Sequence, residues 1–165
     1  MKVMIVDDDR EFTDELAALL RDAGHTVEAF FDSVAALNGV HRVKPEIILL
    51  DIRMDKLNGY QTACYFRKFQ DTATTPIIGM SAYAGADAGA PGQTAAACGM
   101  NAFVQKPFGL PEIIDIIEQH AGLPAAEAVR AGITAAGGPP EADIGQVKAD
   151  IANSRITPAG VQLLP

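Results

Sequence analysis

The sequence predicts an α/β fold, a doubly wound five-stranded parallel sheet with helices on both faces. Three observations lead there. Short apolar runs alternate with stretches of helical period five times before His120. The most apolar run, Ile47 to Leu50, lacks polar alternation, as a strand covered on both faces should. Three of the runs end on a carboxylate or a hydroxyl, and such sheets bind ligands beyond the carboxyl ends of their strands.

The elements follow in order. Val3 to Val6 is the first strand and runs at once into Asp7-Asp8-Asp9. Phe12, Leu16, Leu19, Leu20 and Ala23 then recur at helical spacing, with Asp8 or Asp9 near the N-cap and Gly24 as the stop. Thr26 to Phe30 is the second strand. Ser33 can cap a second helix through about Val43, weakened by Asn38-Gly39, and Pro45 punctuates. Ile47 to Leu50 is the third strand. Asn58-Gly59 opens a third helix, with Tyr60, Ala63, Cys64 and Phe66 to Phe69 as core candidates. Pro76 to Met80 forms the fourth strand, which ends at Ser81. A glycine- and alanine-rich loop, Gly85 to Gly92, leads into a fourth helix from about Gln93 to Cys98, stopped by Gly99. Ala102 to Gln105 is the fifth strand. Pro111 fits the first turn of a last helix whose apolar face is Ile113, Ile114, Ile116 and Ile117, and which ends near His120.

With 165 residues, 48% of them hydrophobic, one domain with a real core is expected. That domain covers 1–120. Residues 121–165 are rich in Ala, Gly and Pro, and Gly137-Gly138-Pro139-Pro140 reads as a linker. The expectation for them is a partly disordered tail, with short docking helices as the alternative. No apolar run approaches a membrane span, and the N-terminus meets three acids too soon for a signal peptide, so a soluble cytoplasmic protein is expected. A net charge of -8 argues against direct nucleic-acid binding. Cys64 and Cys98 sit in unrelated segments, where buried free thiols are the favoured reading and a structural disulfide is not. His25, His41 and His120 are too scattered for a zinc site.

The chemistry lies at the strand ends. Strand one ends on Asp7 and Asp8, strand three on Asp51, strand four on Ser81, and Lys106 follows strand five. If strands one and three are neighbours, the three acids converge, and like charges that close require a counterion. A hard divalent cation with oxygen ligands answers that need, with Mg²⁺ the default at a phosphate site. Lys106 adds a positive charge on a flexible stem. Taken singly, the acids could be a helix N-terminus, Ser81 a turn residue and Lys106 a surface lysine. Their joint position is what points to a site.

These residues resemble the receiver domain of two-component response regulators. The matching words are MIVDDD at Met4 to Asp9, LLDIRMDKLNG at Leu49 to Gly59, MSAYA at Met80 to Ala84 and CGMNAFVQKPF at Cys98 to Phe108. The resemblance implies a flavodoxin-like fold with strand order 2-1-3-4-5. It implies that Asp51 accepts a phosphoryl group from a phosphohistidine on a sensor histidine kinase or a histidine phosphotransfer protein. Asp7, Asp8, Asp51 and the backbone carbonyl of Arg53 would hold Mg²⁺, and Ser81 and Lys106 would meet phosphoryl oxygens. The Lys106-Pro107 peptide would be cis, and Phe103 would be the aromatic that reports the switched state. The product would be a stand-alone switch, not an enzyme beyond its own phosphorylation and slow autodephosphorylation. It would act through an unknown output protein, as a monomer or a weak phosphorylation-dependent dimer.

The sequence departs from the family pattern at three places. Asp55 stands where proline is usual after the methionine, Ser81 where threonine is common, and the Gly85 to Gly92 loop is longer by a few residues. Two other readings remain open. An aspartate-nucleophile phosphatase wants a second acid two residues past the nucleophile, where this chain has Arg53. A non-phosphorylated interaction module would keep the fold alone, which leaves Asp7, Asp8, Asp51 and Lys106 without a reason.

Overall fold

The computed structural model describes residues 1–82 and 98–120. Five parallel strands pair in the order β2-β1-β3-β4-β5: β1 Lys2–Val6, β2 Thr26–Phe30, β3 Ile47–Asp51, β4 Ile77–Ser81 and β5 Ala102–Gln105. Four helices are described: α1 Arg10–Asp22, α2 Ser33–Val43, α3 Gly59–Phe66 and α4 Leu110–His120. The expected loop at 85–92, most of the expected helix at 93–98 and the tail at 121–165 lie outside the described residues.

Side-chain alternation along the strands divides the core in two. Met4, Val6, Ile48, Leu50 and Ile77 pack with α2 and α3 residues such as Leu37, Val40, Ala63 and Phe66. Val3, Ile5, Ile47, Leu49, Ile78 and Val104 pack with Leu16, Leu20, Ile113 and Ile117 of α1 and α4. All five residues of β3, and all five of β4, are buried. Each buried aliphatic side chain contributes about 2 kcal/mol, so the centre of the sheet is its firmest part.

The caps refine the sequence reading. Asp9 caps α1, its carboxylate accepting from the Phe12 amide at 3.1 Å. The α2 cap is Asp32, which accepts from the Ala35 amide at 2.8 Å, and not Ser33. Ser33 is the first helical residue, buried, and its hydroxyl donates to the Leu57 carbonyl at 2.7 Å. Gly39 does not interrupt α2. A Cβ there would strike the Phe30 ring, so glycine makes room for β2 to pack beneath the helix. Asn58 and Gln61 close a capping box at the start of α3.

The cysteine expectation is corrected. Cys64 on α3 and Cys98 form a disulfide, with Cα atoms 4.7 Å apart. The chain leaves α3, forms β4 and returns beside its starting point, a proximity that sequence spacing does not carry. Among the described residues, no helix is long and apolar enough to cross a membrane.

Candidate functional site

Because β1 and β3 are hydrogen-bonded neighbours, their carboxyl ends open side by side. Asp7 directly follows β1, where its amide donates to the Phe30 carbonyl at 3.0 Å. Asp51 is the last residue of β3, and Ser81 the last of β4. Asp7, Asp51 and Ser81 are all buried, whereas Asp8 faces outward. One carboxylate oxygen from each of Asp7, Asp8 and Asp51 lies within 4.8 Å of the other two.

Lys106 reaches this cluster from the end of β5. Its amide donates to the Ser81 carbonyl at 2.7 Å, and the Lys106-Pro107 peptide that follows is cis. Its Nζ donates to Asp7 Oδ2 at 2.5 Å and to Asp51 Oδ1 at 2.9 Å. The other oxygens are held by backbone. Asp7 Oδ1 accepts from the Asp9 amide at 3.0 Å, and Asp51 Oδ2 from the Arg53 amide at 2.7 Å. The two carboxyl planes are therefore fixed from both sides.

Burial pushes the pKa of Asp7 and of Asp51 up, and the hydrogen bonds and charge of Lys106 oppose that rise without cancelling it. Burial alone would pull the Lys106 ammonium down, but its hydrogen bonds to Asp51 and Asp7, and their charges, carry it above its ordinary value. Among these four side chains, three carboxylates face one ammonium, a surplus of two negative charges. The donor set is all oxygen and the surplus is that of one hard divalent cation, so the residues fit such an ion.

The backbone is shaped to bring these groups together. A Cβ on Gly59 would collide with the Asp51 carbonyl and with Ile52, so only glycine lets α3 start this close to the end of β3. On β4, a Cβ at Gly79 would meet the Phe103 ring at 2.9 Å and Met100 at 3.1 Å. Phe103 itself is 37% exposed. Asp55 is exposed in the loop after β3, between the buried Met54 and Leu57.

Residues 3–118 match the family model for the response regulator receiver domain. The chain belongs to the response regulator receiver family. Protein PilG of Pseudomonas aeruginosa is 31% identical over 120 residues, which cover 73% of this chain and 87% of PilG. The receiver domain of the Pseudomonas aeruginosa sensor histidine kinase PA1611, solved with a magnesium ion coordinated in its active-site cleft, is 26% identical. It superposes with a TM-score of 0.67, covering 74% of this chain and 98% of that one. The chemotaxis protein CheY4 of Vibrio cholerae has the same fold at 24% identity, with a TM-score of 0.67 over 72% of this chain and 96% of CheY4.

The receiver's predicted site residues thus fall into two groups. Asp7, Asp8, Asp51 and Lys106 come together, with Ser81 and the Arg53 backbone at the same strand ends. Phe103 stands apart, over Gly79. The sequence pattern marks Phe12 only as a core residue of α1. The structure sets its ring over Lys106, with the centroid 4.2 Å from Nζ. No spacing rule separates such a ring from its neighbours Leu16 and Leu20.

Proposed function

We propose that this receiver is a phosphoacceptor switch of a two-component phosphorelay, phosphorylated on Asp51 by a sensor histidine kinase or a histidine phosphotransfer protein. The observation that carries the reading is the buried Asp51 carboxylate hydrogen-bonded to Lys106 at 2.9 Å beside two further acids. Asp7, Asp8, Asp51 and the Arg53 carbonyl would hold Mg²⁺, which when bound supplies positive charge to the phosphoryl oxygens.

The rest falls to the chain's own groups. An Asp51 oxygen attacks phosphorus in line, the phosphorus–nitrogen bond of the donor histidine breaks, and the nitrogen keeps the electron pair. The backbone amide of Arg53 fixes the carboxyl plane for that approach. Lys106, already within hydrogen-bond distance of Asp51, transfers its pairing to a phosphoryl oxygen. The Ser81 hydroxyl donates to another. The new dianionic group draws Ser81 inward and Phe103 follows, a local electrostatic event read out at the surface. Hydrolysis of the acyl phosphate by water resets the switch slowly.

This reading places the protein in the cytoplasm, with output through a protein partner and no more than weak phosphorylation-dependent dimerisation. Residues 1–120 act as the switching unit, and 121–165 as a tail that docks conditionally. Truncation after Gly122 then leaves phosphorylation intact and weakens partner binding.

The test is a titration of the full chain with Mg²⁺ and beryllofluoride or a small phosphodonor, followed by amide NMR. Signals around Ser81 and Phe103 shift in the wild type and stay in place in Asp51→Asn. An inert wild type, or an Asp51→Asn variant that responds equally, defeats the proposal.

A further inference from the structure

An ammonium group has three N–H donors. Two of those on Lys106 are taken by Asp7 Oδ2 and Asp51 Oδ1. The face of Phe12 lies against the same nitrogen, 4.2 Å from ring centroid to Nζ. An aromatic face attracts a cation through its quadrupole, most strongly where water is kept out, and the Lys106 side chain is only 16% exposed. The ring is itself held. Phe108 meets it edge-on, with centroids 5.7 Å apart and planes at 82°. The Phe12 amide is fixed by the Asp9 cap, two residues after Asp7.

We propose that Phe12 is a positioning residue for Lys106. Its face occupies the third donor direction, excludes water there and keeps Nζ between Asp7 and Asp51. A lysine stem has four flexible carbons, so an ammonium not confined on this side samples positions useless to an incoming phosphoryl group. An aliphatic side chain of similar size fills the space but offers no negative face. The inference rests on the phosphoacceptor reading, because it concerns how that site holds its one basic side chain.

The experiment compares Phe12→Leu and Phe12→Tyr in the full chain by two readouts. The first is the NMR relaxation signal of the Lys106 Cε methylene without any phosphodonor, since a confined ammonium keeps its stem ordered. The second is the initial rate of phosphorylation by acetyl phosphate with Mg²⁺. Phe12→Leu is expected to loosen the Lys106 methylene and to slow phosphorylation roughly fivefold. Phe12→Tyr, which keeps the face, holds that order and stays within about twofold of wild type. The inference is overturned if Leu leaves both readouts unchanged, if Tyr is as slow as Leu, or if the rate falls while the Lys106 signals stay. A wild type that accepts no phosphate defeats the phosphoacceptor reading instead, and the Lys106 signals then decide the inference alone. Phe12→Met takes the place of Leu if that variant does not fold.

Discussion

Arg67 and Lys106 are both largely buried cations, one near the N-terminal ends of β4 and β5, the other at the C-terminal ends of β1, β3 and β5, and they keep different company. Arg67 commits every donor of its guanidinium. Nε and Nη2 donate to the Gly99 carbonyl at 3.0 and 2.6 Å, Nη1 to the Thr72 and Thr75 carbonyls at 2.8 and 2.7 Å, and Nη2 also to Asn101 Oδ1 at 3.0 Å. All of these acceptors are neutral. Burial pulls the Arg67 pKa down to about 10, which still leaves it charged at neutral pH. Lys106 instead faces two carboxylates with a third beside them, and the negative charge there exceeds what it can balance. A buried cation whose donors are all matched braces the fold. One set in surplus opposite charge marks a place that takes up a further ligand.

The largest effect expected is from Arg67→Met. It leaves the carbonyls of Thr75 and Gly99 without their donor and the Thr72 carbonyl with only the Thr75 amide, and buried acceptors stripped of a partner cost about 1–3 kcal/mol each. A loss of about 4 kcal/mol in urea unfolding is expected, allowing for partial rescue by water. The phosphorylation rate per folded molecule stays within about twofold of wild type, because Arg67 touches none of the site residues. A stable variant that cannot be phosphorylated would reverse the roles assigned to the two ends.

The two ends also differ in how far the sequence discloses them. The acidic end is legible because its residues close strands, and strand ends are visible as breaks in apolar runs: Asp7 after Val6, Asp51 after Leu50, Ser81 after Met80. Lys106 is legible from its place just past the fifth strand, and the sheet order follows from the family motif. The Arg67 end shows no such break. Its acceptors are mostly backbone carbonyls in turns, and any residue type supplies a carbonyl. Asn101, which also accepts from the Ile77 amide at 2.9 Å, reads as an ordinary loop residue until β4 and β5 are paired. The Cys64–Cys98 bridge was hidden for the same reason, since it depends on where the chain returns after β4. In the sequence Gly59 marks a helix start, whereas its necessity lies in the backbone it touches.

The disulfide gives the second, smaller effect. It ties α3 to the residue just before Gly99, so it spans nearly the same gap as Arg67. Releasing a cross-link between residues 34 apart in sequence lowers stability by about 2–4 kcal/mol in the chain-entropy account. The cytoplasm proposed for this protein keeps thiols reduced, so the reduced form must also fold, with Arg67 as the remaining brace. Unfolding with and without a dithiol reductant, in wild type and in Arg67→Met, gives the coupling directly. If the two braces share one gap, their combined loss departs from the sum of the single losses. Strict additivity would mean that they hold different parts of the structure.

The smallest effect expected is a change in how stability responds to pH. Lys106 opposes the burial that raises Asp7 and Asp51, so in Lys106→Met both acids rise further above their ordinary 3.8. An acid with a raised folded pKa binds its proton more tightly folded than unfolded. Its burden on stability is present in full above the folded value, lifts as the pH falls through that value, and is gone below 3.8. In metal-free buffer, the urea midpoint of Lys106→Met should therefore gain on that of wild type as the solution is acidified from neutrality. Arg67→Met, measured alongside, should run parallel to wild type, since it changes no carboxylate. Mg²⁺ should flatten the Lys106→Met trend by favouring the ionised acids. A Lys106→Met midpoint that follows wild type at every pH would mean that water, and not Lys106, balances the acidic pair, and the contrast between the two buried cations would then reduce to one of geometry.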